Sequence, residues 1–346
     1  MRTLVWGAGA IGGTLGAYLA RAGHDVTLVD VVDEHVNAIK TNGLSITGPI
    51  STFNVRVPAF TPDTLTGEWD AIVLATKAQH TEDAARLLRP HLRANGCVVS
   101  AQNGLNELVI AGVVGEQRTV GAFVNFGADY LEPGVILYGG RAAVVVGEAF
   151  GAPEARVSPR VIAIRDAWRD FDERAVATAN IWGFLWGKEA YGAMLFATAL
   201  TNDSIADALA MPRYRAIYVA LAREMLAVAA ARGVTPEPFD GFDPLAYLPS
   251  APAGSAERSL DALVAHNRKS AKTHSGIWRD LAVRKRRTEV EAQLGVAVRL
   301  GAEAGIAAPV TSRLVELIHE IEDGTRAQSR DALDVLLALL TATSRA

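Results

Sequence analysis

The sequence predicts an α/β domain followed by an all-helical one. Three observations carry that prediction. A short apolar run, "TLVW", leads directly into the glycine-rich turn "GAGAIGG". Strand-like and helix-like segments then alternate up to about residue 180. Beyond that point β signals nearly vanish, and alanine-rich segments of helical periodicity replace them.

The first strand covers residues 3 to 6. Gly7, Gly9 and Gly12 follow in G-x-G-x-x-G spacing, with Ala10 and Ile11 inside the turn. "TLGAYLARAG" continues as a helix and ends at Gly23, a good C-terminal cap residue. "DVTLVD" is the second strand, closing on Asp30. In a dinucleotide site the three glycines have separate tasks: a tight turn, close approach of the pyrophosphate, and helix–strand packing. The helix N-terminus adds N–H donors and partial positive charge. A carboxylate after the second strand accepts hydrogen bonds from ribose hydroxyls and repels a 2′-phosphate. No Lys or Arg follows Asp30 before Lys40, so NAD(H) is favoured over NADP(H). Capping of the next helix is the alternative task for Asp30.

"WDAIVLATKAQ" (69–79) is a further strand ending near Thr76 and Lys77, with the amphipathic helix "TEDAARLLRPHL" behind it. "GCVVSAQNGLNE" (96–107) is another strand, running into a polar turn with Asn103 and Gly104. The glycine turn, Asp30, Lys77 and Asn103 thus all fall at carboxyl ends of strands, where open parallel sheets bind ligands. A surface role for Lys77 and a turn role for Asn103 are the plainer readings of those two. After Gly115, short β-rich runs between Gly and Pro turns are expected to finish the sheet, some of them antiparallel. "SPRVIAIRDAWRDF" starts a helix with an N-cap serine and a first-turn proline, and "ERAVATAN" is a last edge strand. The resulting architecture is a Rossmann-like domain over residues 1–179 and an all-α domain over 180–346, with helices expected at 181–201, 212–233, roughly 278–304 and 310–322. A crevice between two such domains is a natural substrate site.

Composition narrows the function classes. The 346 residues suit two domains, and with half of them hydrophobic each can build a core. A formal charge of −4 gives no electrostatic attraction to nucleic acid or anionic membrane. "RKRR" at 284–287 reads as a solvated helix face, with contact to a cofactor or substrate phosphate as the alternative. The single cysteine, Cys97, admits no intramolecular disulfide and no zinc site, and no other cluster argues for a metal. The N-terminus shows no cleavage-site pattern, and no apolar run of about 20 residues is uninterrupted. A soluble, cytoplasmic protein acting on a small molecule is expected.

The most apolar stretch, "IWGFLWGKEAYGAMLFATAL", carries Lys188 in its middle. On periodicity alone that lysine could lay its stem over apolar surface. Five motifs give it another role. "GAGAIGG", "VLATKAQ", "SAQNGLNE", "LWGKEAYGA" and "RRTEVEAQLG" occur in an order and spacing that resemble the ketopantoate reductase family over nearly the whole chain. The resemblance implies that Lys188 is the general acid and that Glu289 binds the substrate's hydroxyl end. It places Lys77 and Asn103 near the nicotinamide and substrate, and it implies homodimers. Hydride addition to a ketone builds negative charge on oxygen, which a nearby ammonium stabilises and then protonates. Partial burial lowers a lysine pKa toward the working pH and makes it a better acid.

The chain also departs from the family pattern. Gly192 and Phe196 stand where asparagines often follow the catalytic lysine by one and two turns. Ser275 remains beside the expected substrate carboxylate, but Gly276 replaces a neighbouring serine. One extra residue separates Asp280 from Glu289. The basic residue common after the second strand in NADPH-using members is missing. Phe196 adds an apolar wall, with Trp182, Trp186 and Tyr191 as further pocket or core aromatics, so a bulkier or more apolar substrate is expected to fit. His274, beside Ser275, reads as an ordinary polar contact or as an aid to substrate binding. Ketopantoate to pantoate is the leading reaction for an enzyme interconverting 2-keto and 2-hydroxy acids. An NAD-dependent dehydrogenase oxidising a more apolar hydroxy acid or alcohol is the alternative. A dinucleotide sensor without turnover is the alternative of another class, and Lys188 with Glu289 argues against it.

Overall fold

A computed structural model describes residues 1–151, 157–269 and 273–343. The chain forms two compact units, Met1–Ile181 and Trp182–Ala346. The first begins in the predicted order: β1 (Thr3–Trp6), α1 (Ala10–Arg21), β2 (Val26–Val29) and α2 (Asp33–Asn42). It continues through β3 (Leu44–Thr47), β4 (Phe53–Val55), β5 (Ala59–Phe60), β6 (Trp69–Leu74), α3 (Thr81–Leu88), β7 (Leu92–Ser100) and α4 (Glu107–Val114). Then come β8 (Thr119–Val124), β9 (Gly127–Glu132), β10 (Val135–Gly140), β11 (Val144–Glu148), α5 (Pro159–Trp168) and β12 (Val176–Thr178).

The main sheet runs β12-β11-β8-β7-β6-β1-β2-β5. Its strands from β8 to β5 are parallel, β11 pairs antiparallel with β8, and β12 runs parallel to β11. Every residue of β1 and β2 is buried, as expected where helices cover both faces of a parallel sheet. Alternate side chains serve opposite faces. Val5 joins Leu15, Tyr18 and Leu19 of α1 in one core, while Leu4 and Trp6 join Leu88 and Ile110 in the other. Gly23, at φ +91°, turns the chain out of α1, and Ser158 Oγ caps α5 by accepting from Val161 N at 3.3 Å. Cys97 is buried within this unit, and burial pushes its thiol up to about 11.

One expectation for this unit is corrected. β9 and β10 do not finish the main sheet. They pair with β3 and β4 in a separate four-stranded sheet of order β4-β3-β10-β9. Its Ile46, Ile136 and Tyr138 pack in the same core as α1, so the hairpin is drawn to the helix flank rather than to the sheet edge.

The second unit is helical: α6 (Ile181–Thr198), α7 (Ile205–Ala210), α8 (Arg215–Ala231), α9 (Ser255–Arg268), α10 (Gly276–Trp278), α11 (Val296–Glu303), α12 (Pro309–Glu322) and α13 (Arg330–Thr343). Ile217, Leu221, Met225 and Val228 on α8 are fully buried at helical spacing, and α11, α12 and α13 pack against that helix. No helix among the described residues is long and apolar enough to cross a membrane.

The helix expected at roughly 278–304 is broken. α10 runs into a π-helical turn, Arg279–Val283, and a second π turn, Glu291–Gly295, precedes α11. Residues 284–290 between them are irregular. The "RKRR" run therefore lies in a break and not on a helix face. Arg284 and Arg286 each reach Oδ1 of buried Asp280 at 2.9 Å, and Arg287 reaches Glu322 and Asp323. Lys285 between them takes a positive φ of 49°. Buried carboxylates attract these guanidinium groups more strongly than continued helix would hold them.

Candidate active site

The glycine turn shows three distinct steric situations. Gly7 has φ +98°, and a Cβ there would lie 2.9 Å from the backbone of Ala75 and Thr76. A Cβ on Gly12 would meet Gly7 O at 2.1 Å and Val5 Cγ1 at 2.8 Å. A Cβ on Gly9 would meet nothing within 4 Å. Two glycines are therefore demanded by packing within the protein, and the middle one faces open space. Ala10 and Ile11 open α1, whose N-terminus carries no side-chain cap. Open approach at Gly9, an uncapped helix N-terminus and a carboxylate after β2 together fit the pyrophosphate and ribose of a dinucleotide.

Asp30 Oδ1 accepts from Val32 N at 3.1 Å, so the carboxylate also shapes the turn into α2. Both tasks foreseen for Asp30 are compatible, because a carboxylate has two oxygens. The sheet order β7-β6-β1-β2 brings four strand ends into one row. Along that row lie the Asn103 turn, the Lys77 loop, the glycine turn and Asp30. With strands about 4.8 Å apart, the row spans roughly 14 Å. Lys77 and Asn103 are both exposed.

A buried polar circuit fixes the β6–β7 end of this row, and sequence reasoning missed it. Gln102 Nε2 donates to Thr76 O at 3.0 Å and to Thr81 Oγ1 at 2.9 Å. Thr81 Oγ1 lies 2.8 Å from Ala78 O and 3.0 Å from Asn106 Oδ1. Asn106 Nδ2 donates to Asn103 O at 2.6 Å. The loops carrying Lys77 and Asn103 are thereby tied together from below. The one available signal was the trio of amide side chains Gln102, Asn103 and Asn106 just after the apolar stretch Cys97–Val99.

In the second unit, Lys188 is half-buried on α6. Gly192, one turn on, is also half-buried, and a Cβ there would meet nothing within 4 Å. Phe196 differs from expectation: it is 0% exposed and offers no surface to a ligand, so it packs the helix instead of walling a pocket. Trp186 is likewise buried, and Tyr191 stacks on Phe242 with ring centroids 5.4 Å apart.

Glu289 is nearly buried and lies between the two π turns. A π turn closes i to i+5 bonds, as Arg284 N to Arg279 O and Gly295 N to Val290 O do here, and so takes up one residue more than an α turn. Thr288 pins the segment: its N and its Oγ1 both donate to Glu322 Oε1 at 2.7 Å. Glu322 Oε2 also takes Arg287 at 3.1 Å and His319 Nδ1 at 2.8 Å. Burial raises the Glu322 pKa, but the Thr288 and His319 hydrogen bonds outweigh it and hold the carboxyl below its usual range. Ser275 Oγ accepts from Trp278 N at 3.1 Å, which makes it the N-cap of α10. His274 packs against Trp278 with ring centroids 4.1 Å apart and planes tilted by 34°, and it bonds Thr273. Among the described residues, no three His, Cys, Asp or Glu groups converge on a metal-sized site.

Fold and glycine turn together define a dinucleotide-binding α/β domain joined to a helical domain. The chain matches the sequence model described as "Ketopantoate reductase PanE/ApbA" over residues 3–151, and that of the family's C-terminal domain over 180–322. It belongs to the ketopantoate reductase family, whose members are pyridine-nucleotide oxidoreductases acting on a keto or CH–OH group. A 2-dehydropantoate 2-reductase of Halobacterium salinarum is 27% identical over 322 residues, covering 92% of this chain and 98% of that protein. One from Pyrococcus abyssi is 35% identical over 191 residues, covering 54% of this chain and 60% of that protein. Among solved structures, a PanE/ApbA family ketopantoate reductase from Ralstonia eutropha has a TM-score of 0.76 at 25% identity, covering 94% of this chain and 99% of that one. D-mandelate dehydrogenase with NADH and anilino(oxo)acetate has a TM-score of 0.80 at 21% identity, with the same coverage, and shares the fold.

Proposed function

We propose that this chain interconverts a 2-oxo acid and a 2-hydroxy acid using NAD(H), with ketopantoate to pantoate as the leading reaction. The observation that carries the reading is the row of neighbouring strand ends holding Asn103, Lys77, the glycine turn and Asp30. The bound nicotinamide supplies the hydride. Gly9, Ala10, Ile11 and Gly12 receive the pyrophosphate, and Asp30 holds the ribose diol. Asp33 and Glu34 in the first turn of α2 join Asp30 in disfavouring a 2′-phosphate. Lys77 and Asn103 orient the nicotinamide and the substrate. The Lys188 ammonium stabilises the charge developing on the carbonyl oxygen and gives it a proton, a contribution of ~10²–10⁴-fold for a well-placed acid. Glu289 accepts a hydrogen bond from the substrate's hydroxyl end, and Thr288 with Glu322 keeps it in place. Assembly as a homodimer belongs to the same reading and is checked by light scattering.

A second reading draws on Gly192. Open space one turn beyond Lys188 suits a bulkier, more apolar 2-oxo acid or the oxidation of its hydroxy acid. The related fold of D-mandelate dehydrogenase holds an anilino-substituted oxoacetate, a ligand of that type.

The test is the initial rate of NADH oxidation with ketopantoate, beside NADPH at equal concentration. A kcat/KM of about 10⁴ M⁻¹s⁻¹ or more with NADH supports the leading reaction. Turnover with NADPH alone overturns the reading of Asp30. No turnover with either moves the search to aromatic 2-oxo acids. Lys188→Ala should lower kcat by about 10²-fold or more and leave NADH affinity intact. An equal, modest loss in both points to a binding protein without turnover.

A further inference from the structure

His35 is a fully buried histidine that none of these roles uses. It sits in the first turn of α2, five residues past Asp30. Its Nε2 lies 2.9 Å from the carbonyl oxygen of Ala8, inside the glycine turn. Its Nδ1 lies 2.9 Å from the backbone N of Gly134, in the turn between β9 and β10. A backbone N–H only donates and a carbonyl only accepts. Nδ1 must therefore carry the lone pair, and Nε2–H donates to Ala8. One imidazole in one tautomer bridges the glycine turn to the second sheet.

The far end of that bridge is itself fixed. Gly134 O accepts from Ser45 N at 2.9 Å, and a Cβ on Gly134 would lie 3.1 Å from Ala38 Cβ. The second sheet also presses on α1 directly, since a Cβ on Gly13 would meet Ile136 Cδ1 at 2.4 Å. The near end sets a peptide plane. In a planar trans peptide, the C=O of one residue and the N–H of the next point in opposite directions. Holding the Ala8 carbonyl toward His35 turns the Gly9 N–H the other way. Gly9 is the turn residue whose surroundings are open.

We propose that His35 is a positioning residue of the dinucleotide site: by holding the Ala8 carbonyl between α2 and the β9–β10 turn, it aims the Gly9 N–H at the pyrophosphate. The proposal rests on the dinucleotide reading of the glycine turn. It gives the second sheet a task in cofactor binding, because the sheet holds the imidazole in the required tautomer.

The experiment is NADH binding to the full chain, followed by fluorescence titration, for wild type, His35→Leu and His35→Gln. A glutamine amide can donate and accept at once, whereas leucine does neither. The leucine variant should bind NADH about tenfold more weakly, as expected for one lost hydrogen bond to a critical group. Its kcat at saturating NADH should stay within about twofold, since an altered binding loop touches KM and leaves the chemical step alone. The glutamine variant should recover most of the affinity. A folded leucine variant with wild-type affinity overturns the proposal, and so does a glutamine variant no better than leucine. Wild-type protein that binds neither NADH nor NADPH overturns the dinucleotide reading and this proposal with it. Amide exchange gives a test without any variant. The Gly9 N–H should exchange fast in the free protein and become protected when NADH is added. Protection already complete without NADH overturns the proposal.

Discussion

The glycine turn and the segment around Glu289 are both irregular backbone, and they are held in opposite ways. In the turn, close contact sets the shape. Gly7 and Gly12 sit where a Cβ would strike backbone or core atoms of the same unit. Around Glu289, charge sets the shape. Arg284 and Arg286 converge on Asp280, while Thr288, Arg287 and His319 converge on Glu322. Excluded volume acts at contact range and tolerates no adjustment. Ion pairs and hydrogen bonds act over longer reach and lose only part of their strength when one partner goes. The two regions should therefore fail differently under mutation.

The largest expected effect is at Gly12. Gly12→Ala puts a Cβ 2.1 Å from Gly7 O and against Val5 and Ala75, with no flexible side chain to yield at the backbone contact. A destabilisation of about 3 kcal/mol is expected from overpacking of this kind, together with loss of NADH binding. Gly9→Ala, in the same turn, should unfold at the wild-type urea midpoint yet weaken NADH binding about tenfold, because its methyl enters only the space a pyrophosphate needs. Equal stability losses in the two variants would break the distinction between packing glycine and approach glycine.

Glu322→Gln tests the segment around Glu289. The amide oxygen can still accept from Thr288, but the charge facing Arg287 and His319 is gone. A loss of about 1–2 kcal/mol is expected for weakened hydrogen bonds to a charged group, with Arg287 contributing little because it is exposed. The pH dependence has a definite sign. The folded-state pKa of Glu322 is lowered, so its ionised form stabilises the protein above the unfolded-state pKa and that stabilisation disappears as pH falls through the folded-state value. The Tm gap between wild type and Glu322→Gln should be full at pH 7 and shrink below about pH 4.5. A gap that is constant down to pH 3 would mean that the carboxylate charge is not what holds Thr288.

The same contrast separates what the sequence reveals from what it hides. Strand, glycine turn, helix, strand and Asp30 are legible because each depends on residues within a turn or two. Asn103 and Lys77 are legible as strand-end residues. That Asn103, Lys77, the glycine turn and Asp30 form one row needs the strand order, which no local pattern encodes. The second sheet stays hidden because its central pairing, Ile46 with Ile136, joins residues far apart in the chain. The break at 284–290 is hidden for the same reason: it answers to Glu322 on α12, and the alanine-rich flanks alone favour helix. Phe196 shows the limit of carrying a position over from a family. Its place in the chain matched a substrate contact, whereas its burial makes it core.

The smallest expected effect is the most discriminating one. Gly192 lies mid-helix on α6, where glycine is less stable than alanine by about 0.5–1 kcal/mol. A Cβ there meets nothing within 4 Å, so no clash offsets the gain. Gly192→Ala should therefore stabilise the protein by roughly 0.5–1 kcal/mol, read as a higher urea midpoint at unchanged m-value. If the open space beyond Lys188 is where a bulky substrate group rests, the same methyl should lower kcat/KM for an aromatic 2-oxo acid by about tenfold, at the low end of the scale for one misfitting methylene in a pocket. Ketopantoate, being smaller, should be much less affected. Gly192→Asn should move preference further in the same direction, since a polar amide would offer hydrogen bonds to a hydroxylated substrate and a poor surface to an aromatic one. A variant that is more stable and equally active on both substrates would place Gly192 outside the site and leave ketopantoate the better reading. A variant that gains stability while losing only the bulky substrate would tie the glycine to substrate choice, because the helix alone is better served by alanine.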